Sequence, residues 1–215
     1  MTKTSVIVPG LLVAGVAVWA LGAATRATAA QQPPTLATPA YTSSGELLKP
    51  TDFRAWVFLS SGLGMTYSPP AVAGATTSAA ARPPAFTNVY VNPSSYRKFT
   101  ESGAWPDPTM FILEIRESAS EGSINLAGRY QTGLRAVEAE VKDSSRYPDK
   151  WAYFDFGPTR DHATPLPKTA PCYACHGTKA AVEQTFVQFY PTLMEVARKM
   201  GTVNRSYDPG ASPHH

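Results

Sequence analysis

At 215 residues, 43% of them hydrophobic and 16% charged, the chain can bury the core of one domain and is composed like a globular protein rather than a disordered or membrane-embedded one. Its formal net charge is +3, which becomes +1 (17 basic against 16 acidic residues) once Lys3 and Arg26 of the leader are set aside. That balance excludes the concentrated basic patch of a nucleic-acid binder.

Residues 1–30 read as an export signal. Lys3 supplies a positive start, Val6 to Ala24 is apolar and uncharged, and Ala27-Thr28-Ala29-Ala30 offers the small residues of a cleavage site. The alternative is an uncleaved membrane anchor, which Pro9, Gly10 and Gly15 weaken as a spanning helix. The expected location is the periplasm. Residues 31–44 follow as a Pro/Ala-rich linker.

A helix is predicted from Thr51, an N-cap type with Asp52 in the first turn. Phe53, Trp56, Val57 and Ser60 would share its buried face, and Gly62 and Gly64 would end it. Ser68 to Pro84 is rich in Ala, Pro, Thr, Ser and Gly and reads as a surface insertion. Strands are predicted at Thr87 to Val91, Met110 to Ile115, Leu134 to Val141 and Trp151 to Phe156. Between the first two, Asn92-Pro93 opens a short helix with Tyr96 and Phe99 inward and Gly103 as its stop. Near the C-terminus Phe186, Phe189, Leu193, Val196, Ala197 and Met200 follow helical spacing, with Pro191 kinking the segment or starting it afresh. The fold class expected is mainly β (α+β), an antiparallel sheet flanked by helices.

The two cysteines stand in Cys172-Tyr173-Ala174-Cys175, and His176 follows at once. Cys-x-x-Cys-His is the attachment signature of c-type haem. On a tight turn the two thiols would each add to one porphyrin vinyl group, and the histidine would be aimed at the iron. A redox dithiol would want a preceding βαβ unit, and a zinc site would want a second ligand pair. Neither is visible, since the remaining histidines are His162, His214 and His215. For a sixth iron ligand the candidates are Met65, Met110, Met194 and Met200, with Met194 and Met200 on the buried side of the last helix. None is convincing as a ligand, because methionine at helical spacing is more often core filler. His162 sits in a polar, Pro-flanked loop. An open iron site that binds a small molecule is therefore expected.

Beyond the motif, GELLKPTDFRAWVFL, VYVNPSSYRKFTESG, VEAEVKDSSRYPDKWAYFDF and CYACHGTKAAVEQTFVQFYPTL occur in an order that resembles the cytochrome P-460 family and its relatives, the beta-type cytochromes c′, over about residues 45–203. Residues 204–215 are left as a flexible tail. The resemblance implies a largely antiparallel fold, a homodimer, and a five-coordinate haem with His176 as proximal ligand. It also implies hydroxylamine oxidation, with a distal glutamate and a lysine cross-link to the haem, in the P-460 branch. In the other branch it implies nitric oxide binding under an apolar cap. By this match Glu138 takes the position of the distal glutamate, and Leu113 that of the lysine. No lysine lies between Lys98 and Lys142, so the cross-link is not expected.

The leading expectation is thus a monohaem protein binding nitric oxide or a related nitrogen species, with a redox partner protein possible. A hydroxylamine oxidoreductase using Glu138 as base is the second, and a simple electron carrier the third. Without the resemblance, Glu138 and Glu140 would both be read as lining a solvated strand face.

Overall fold

The computed structural model describes residues 1–2, 38–66 and 82–207. The leader beyond Thr2, the linker up to residue 37, the insertion from Ser68 to residue 81 and the tail from residue 208 lie outside the described residues.

The framework is a five-stranded antiparallel sheet whose strands are neighbours in chain order: β2 (Val57–Leu63), β3 (Phe86–Val91), β4 (Thr109–Ala119), β5 (Tyr130–Lys142) and β6 (Trp151–Gly157). A second, two-stranded sheet pairs β1 (Leu47–Leu48) with β7 (His162–Ala163). The helices are α1 (Pro93–Ser102), α2 (Pro171–Lys179) and α3 (Pro191–Met200). All four predicted strands are present, and β4 and β5 run well past their predicted ends. Among the described residues no helix is long and apolar enough to cross a membrane.

The helix predicted from Thr51 does not form. A single 3-10 turn, Phe53–Ala55, is followed directly by β2. Phe53 and Trp56, three apart, fit a 3-10 turn as well as an α-helix, and both bury against the sheet. From Val57 onward, pairing with β3 overrides the local helical pattern. The turn is anchored through Arg54, whose Nε and Nη2 donate to Glu114 Oε1 on β4 at 2.8 and 2.5 Å. Arg116 Nη1 (3.0 Å) and Asn88 Nδ2 (3.2 Å) complete the shell around this carboxylate, which is only 2% exposed. Burial pushes the Glu114 carboxyl up, but these donors outweigh it and hold it below the usual carboxylate range.

Because strand side chains alternate, the sheet has two distinct faces. Met110, Ile112, Val137, Ala139, Val141, Ala152, Phe154 and Phe156 point to one of them, closed by Leu47, Phe53, Trp56 and Ala163. On the other, Val91, Phe111 and Trp151 pack with Phe99, Trp105, Leu193, Met194 and Ala197 at one end of the sheet. The other end of this second face is left for the site described below.

α1 begins at Pro93 as predicted, but Asn92 does not cap it with its side chain. Asn92 Oδ1 instead accepts from the backbone N–H of Met110 at 2.9 Å, tying the helix start to β4. Pro191 starts a fresh helix rather than kinking a longer one, and a 3-10 turn, Val187–Phe189, precedes it. On α3 Met194 is buried, whereas Met200 is exposed, contrary to its predicted placement, because it sits in the last turn at the rim. His162 lies in β7, not a loop; it is half exposed, with Glu46 Oε1 3.2 Å from its Nδ1.

Gly103 closes α1 at φ +73°, and a Cβ there would sit 2.7 Å from Met200 Cβ and 2.8 Å from Thr202 Oγ1. Left-handed backbone strain alone costs a side-chain-bearing residue about 1–2 kcal/mol. Gly103→Ala is therefore expected to lower the unfolding free energy by at least about 1 kcal/mol. A urea midpoint equal to that of the unsubstituted protein would show that α1 and α3 do not meet as closely as described.

Candidate haem-binding site

Cys172, Cys175 and His176 stand on α2, not on the tight turn expected. Proline at its first position is tolerated there because that N–H has no helical partner. The spacings i, i+3 and i+4 bring all three side chains to one helical face, together with the neighbouring Tyr173, while Ala174 and Gly177 face solvent. Both cysteines are free thiols. Burial, reinforced by Glu138, pushes the Cys172 thiol above its ordinary value. Redox-active dithiols have the opposite shift, so the geometry disfavours that alternative.

This face of α2 closes a cavity of about 380 Å³ over the free end of the sheet. Its lining brings together five of the residues singled out from the sequence: Leu113, Glu138, Cys172, Cys175 and His176. Leu113 and Glu138 are direct cross-strand partners between β4 and β5. Val89 flanks Leu113 on β3, and Asp155 flanks Glu138 on β6. Burial raises the Glu138 carboxyl above the ordinary carboxylate range, with Asp155 adding to the rise and His176 opposing it. The solvated strand face otherwise expected for Glu138 and Glu140 is not found: both line the cavity.

The His176 ring is held on several sides. Its Nδ1 is 2.7 Å from the carbonyl oxygen of Gln184, so the proton sits on Nδ1 and Nε2 is left as the free ligand atom. The ring packs between Tyr153 and Phe186, with centroid distances of 4.6 and 4.3 Å. Tyr153 OH donates to Gln184 Oε1 at 2.9 Å, fixing the residue whose carbonyl orients the histidine.

The loop carrying Gln184 is clasped from outside. Asn204 Nδ2 donates to the carbonyls of Ala180 and Glu183 at 2.9 and 2.8 Å, and Asn204 Oδ1 accepts from Glu183 N at 3.1 Å. Glu183, at φ +50°, receives Lys142 Nζ at 2.7 Å, and Trp105 Nε1 donates to Thr185 Oγ1 at 2.8 Å. Glu140 and Asn204 were not singled out from the sequence. Only the Glu-x-Glu alternation on β5 hinted at the first, and nothing local marks the second.

Of the four candidate methionines, Met110 is buried in the core of the opposite face and Met194 in the helical core. Met65 lines the cavity. Gly64, at φ +68°, folds the chain back so that the Met65 thioether lies over Gly62, where its sulfur leaves no room for a Cβ. Among the described residues no group of three or more His, Cys, Asp or Glu side chains is placed to hold a metal ion by itself. The residues present fit a haem instead: two thiols beside one oriented imidazole, facing an apolar cavity of the size range used by cofactors.

No curated protein matches the chain. The family model for Cytochrome P460 matches residues 50–187, from the start of the 3-10 turn region through the haem motif to Val187. The chain belongs to the cytochrome P460 family and is a haem protein of that family.

Proposed function

We propose that the protein is an exported monohaem cytochrome that binds nitric oxide or a related small nitrogen species at a five-coordinate iron. The haem would be held covalently by Cys172 and Cys175, and His176 Nε2 would be its one protein ligand. The observation that carries this reading is the convergence of an oriented His176 and an apolar wall in one cavity. Val89, Leu113, Ile115 and Met65 form that wall. When bound, the haem supplies an iron that can take a small ligand and exchange electrons.

The protein's own residues select the ligand. An apolar wall makes an unpaired charge costly and so favours neutral diatomic molecules over anions. Met65 supports the open-site reading by its placement. It packs over Gly62, the partner of Thr87, which is four residues along β3 from Val91 in the row of Phe111, Glu140 and Tyr153. That is about 13 Å of strand, which suits a far wall better than a ligand opposite the imidazole. Leu113 at the lysine position supports an unmodified porphyrin. Export belongs to the same reading through the leader sequence of residues 1–30, and association of two copies through the family resemblance.

Glu138 favours a second reading, hydroxylamine oxidation. A carboxylate of raised proton affinity inside the cavity can accept a proton from hydroxylamine, and a haem held by Cys172, Cys175 and His176 would supply the redox chemistry together with an external electron acceptor. The base form exists above the raised value, so turnover should increase with pH through a midpoint higher than that of an ordinary carboxylate. Glu138→Gln should slow turnover by about 100-fold or more, within the range for a lost general base, while leaving ferrous nitric oxide binding in place. Equal turnover in the two proteins would remove Glu138 from the chemistry.

The deciding spectrum is that of the dithionite-reduced protein matured with c-type haem. An ordinary high-spin ferrous spectrum is expected. His176→Ala should keep the haem tethered and change that spectrum, and an unchanged one would refute the axial assignment. A strongly red-shifted ferrous Soret band would mean a modified porphyrin and would make hydroxylamine oxidation the leading reading.

A further inference from the structure

Glu140 is an expensive residue in its place. It stands on β5 between Phe111 of β4 and Tyr153 of β6, on the cavity face, with a side chain only 11% exposed. Its Oε1 is closed to solvent and no well-formed hydrogen bond among the described residues reaches that atom, although His176 and the Tyr153 hydroxyl both face the carboxyl group. That oxygen lies 3.3 Å from His176 Nδ1, whose proton is directed at the Gln184 carbonyl. A glutamine or an apolar residue would fill the site without placing an incompletely paired carboxyl group in it. A buried, under-bonded polar group of this kind calls for a functional cause.

We propose that Glu140 is a positioning residue for the axial histidine: a proximal carboxylate that, with the Gln184 carbonyl, draws the Nδ1 proton and gives the His176 ring anionic character. This rests on the haem reading above. A ligating histidine whose far nitrogen faces a carboxylate is a stronger donor to its metal, because negative charge behind the ring strengthens the bond to a cationic centre. The consequence for the iron is a preference for the ferric over the ferrous state, since the oxidised centre carries the greater positive charge to be stabilised. Glu140 lines the cavity, but this role needs no contact with a bound ligand. It acts through His176 alone.

The geometry also explains why Gln184 is fixed so firmly. With two acceptors near one N–H, a small rotation of the imidazole would trade the carbonyl for the carboxylate. Packing by Tyr153 and Phe186 limits that rotation. The Gln184 carbonyl is positioned by the clasped loop, so the shared geometry is held from both sides.

The test uses the haem-loaded full chain in three forms: unsubstituted, E140Q and E140D. Glutamine keeps the size and an acceptor but removes the charge. E140Q is expected to shift the ferric-to-ferrous ratio at a given potential about tenfold toward ferrous, an upward move of about 59 mV in midpoint. It is also expected to lower the ferrous iron–histidine stretching frequency in resonance Raman spectra. E140D retains the charge one methylene further back and should fall between the two. If E140Q retains its haem with unchanged midpoint and stretching frequency, the proposal is overturned and Glu140 merely fills space. Should E140Q hold no haem, E140D decides: an upward shift supports the proposal and an unshifted midpoint overturns it. Absence of an iron–histidine band from the unsubstituted protein would instead overturn the haem reading on which this rests.

Discussion

One contact organises the rest of this site: the hydrogen bond from His176 Nδ1 to the carbonyl of Gln184. It sets the tautomer, aims Nε2 into the cavity, and joins α2 to the loop that follows it. Much of the neighbouring structure can be understood as support for that 2.7 Å contact. Tyr153 on β6 both packs on the ring and holds the Gln184 side chain, so the sheet, the helix and the loop meet at one imidazole.

The sheet serves as a plate with two uses. One face is a closed apolar core, and the other is shared between a helical core and the cavity. Alternation along β4 and β5 does the sorting. Ile112 and Ala139 go to the closed core, while their neighbours Leu113, Glu138 and Glu140 go to the cavity. A shift of one residue in the pairing of β4 with β5 would bury valines where carboxylates now stand and break the pairing of Leu113 with Glu138.

Signals that are local in the chain were readable from it, and signals that depend on distant partners were not. Cys172, Cys175 and His176 fall within five residues, and the alternation of Val137, Ala139 and Val141 needs only a strand to be recognised. The segment after Thr51 misled because Phe53 and Trp56 satisfy two periodicities at once, and the choice between them is made by β3, more than twenty residues away. Glu140 looks like any exposed strand carboxylate until β6 and α2 are laid over it. Asn204 carries no motif at all, since its role is made entirely of backbone groups on another segment.

Asn204 also lies past residue 187, where the match to the family ends. In a chain synthesised from its N-terminus the strands of the sheet and the haem motif are all added before this asparagine. The clasp on the loop behind His176 therefore closes last. Among the described residues Asn204 is one of the last to be made, so the backbone that orients His176 gains its outer support late.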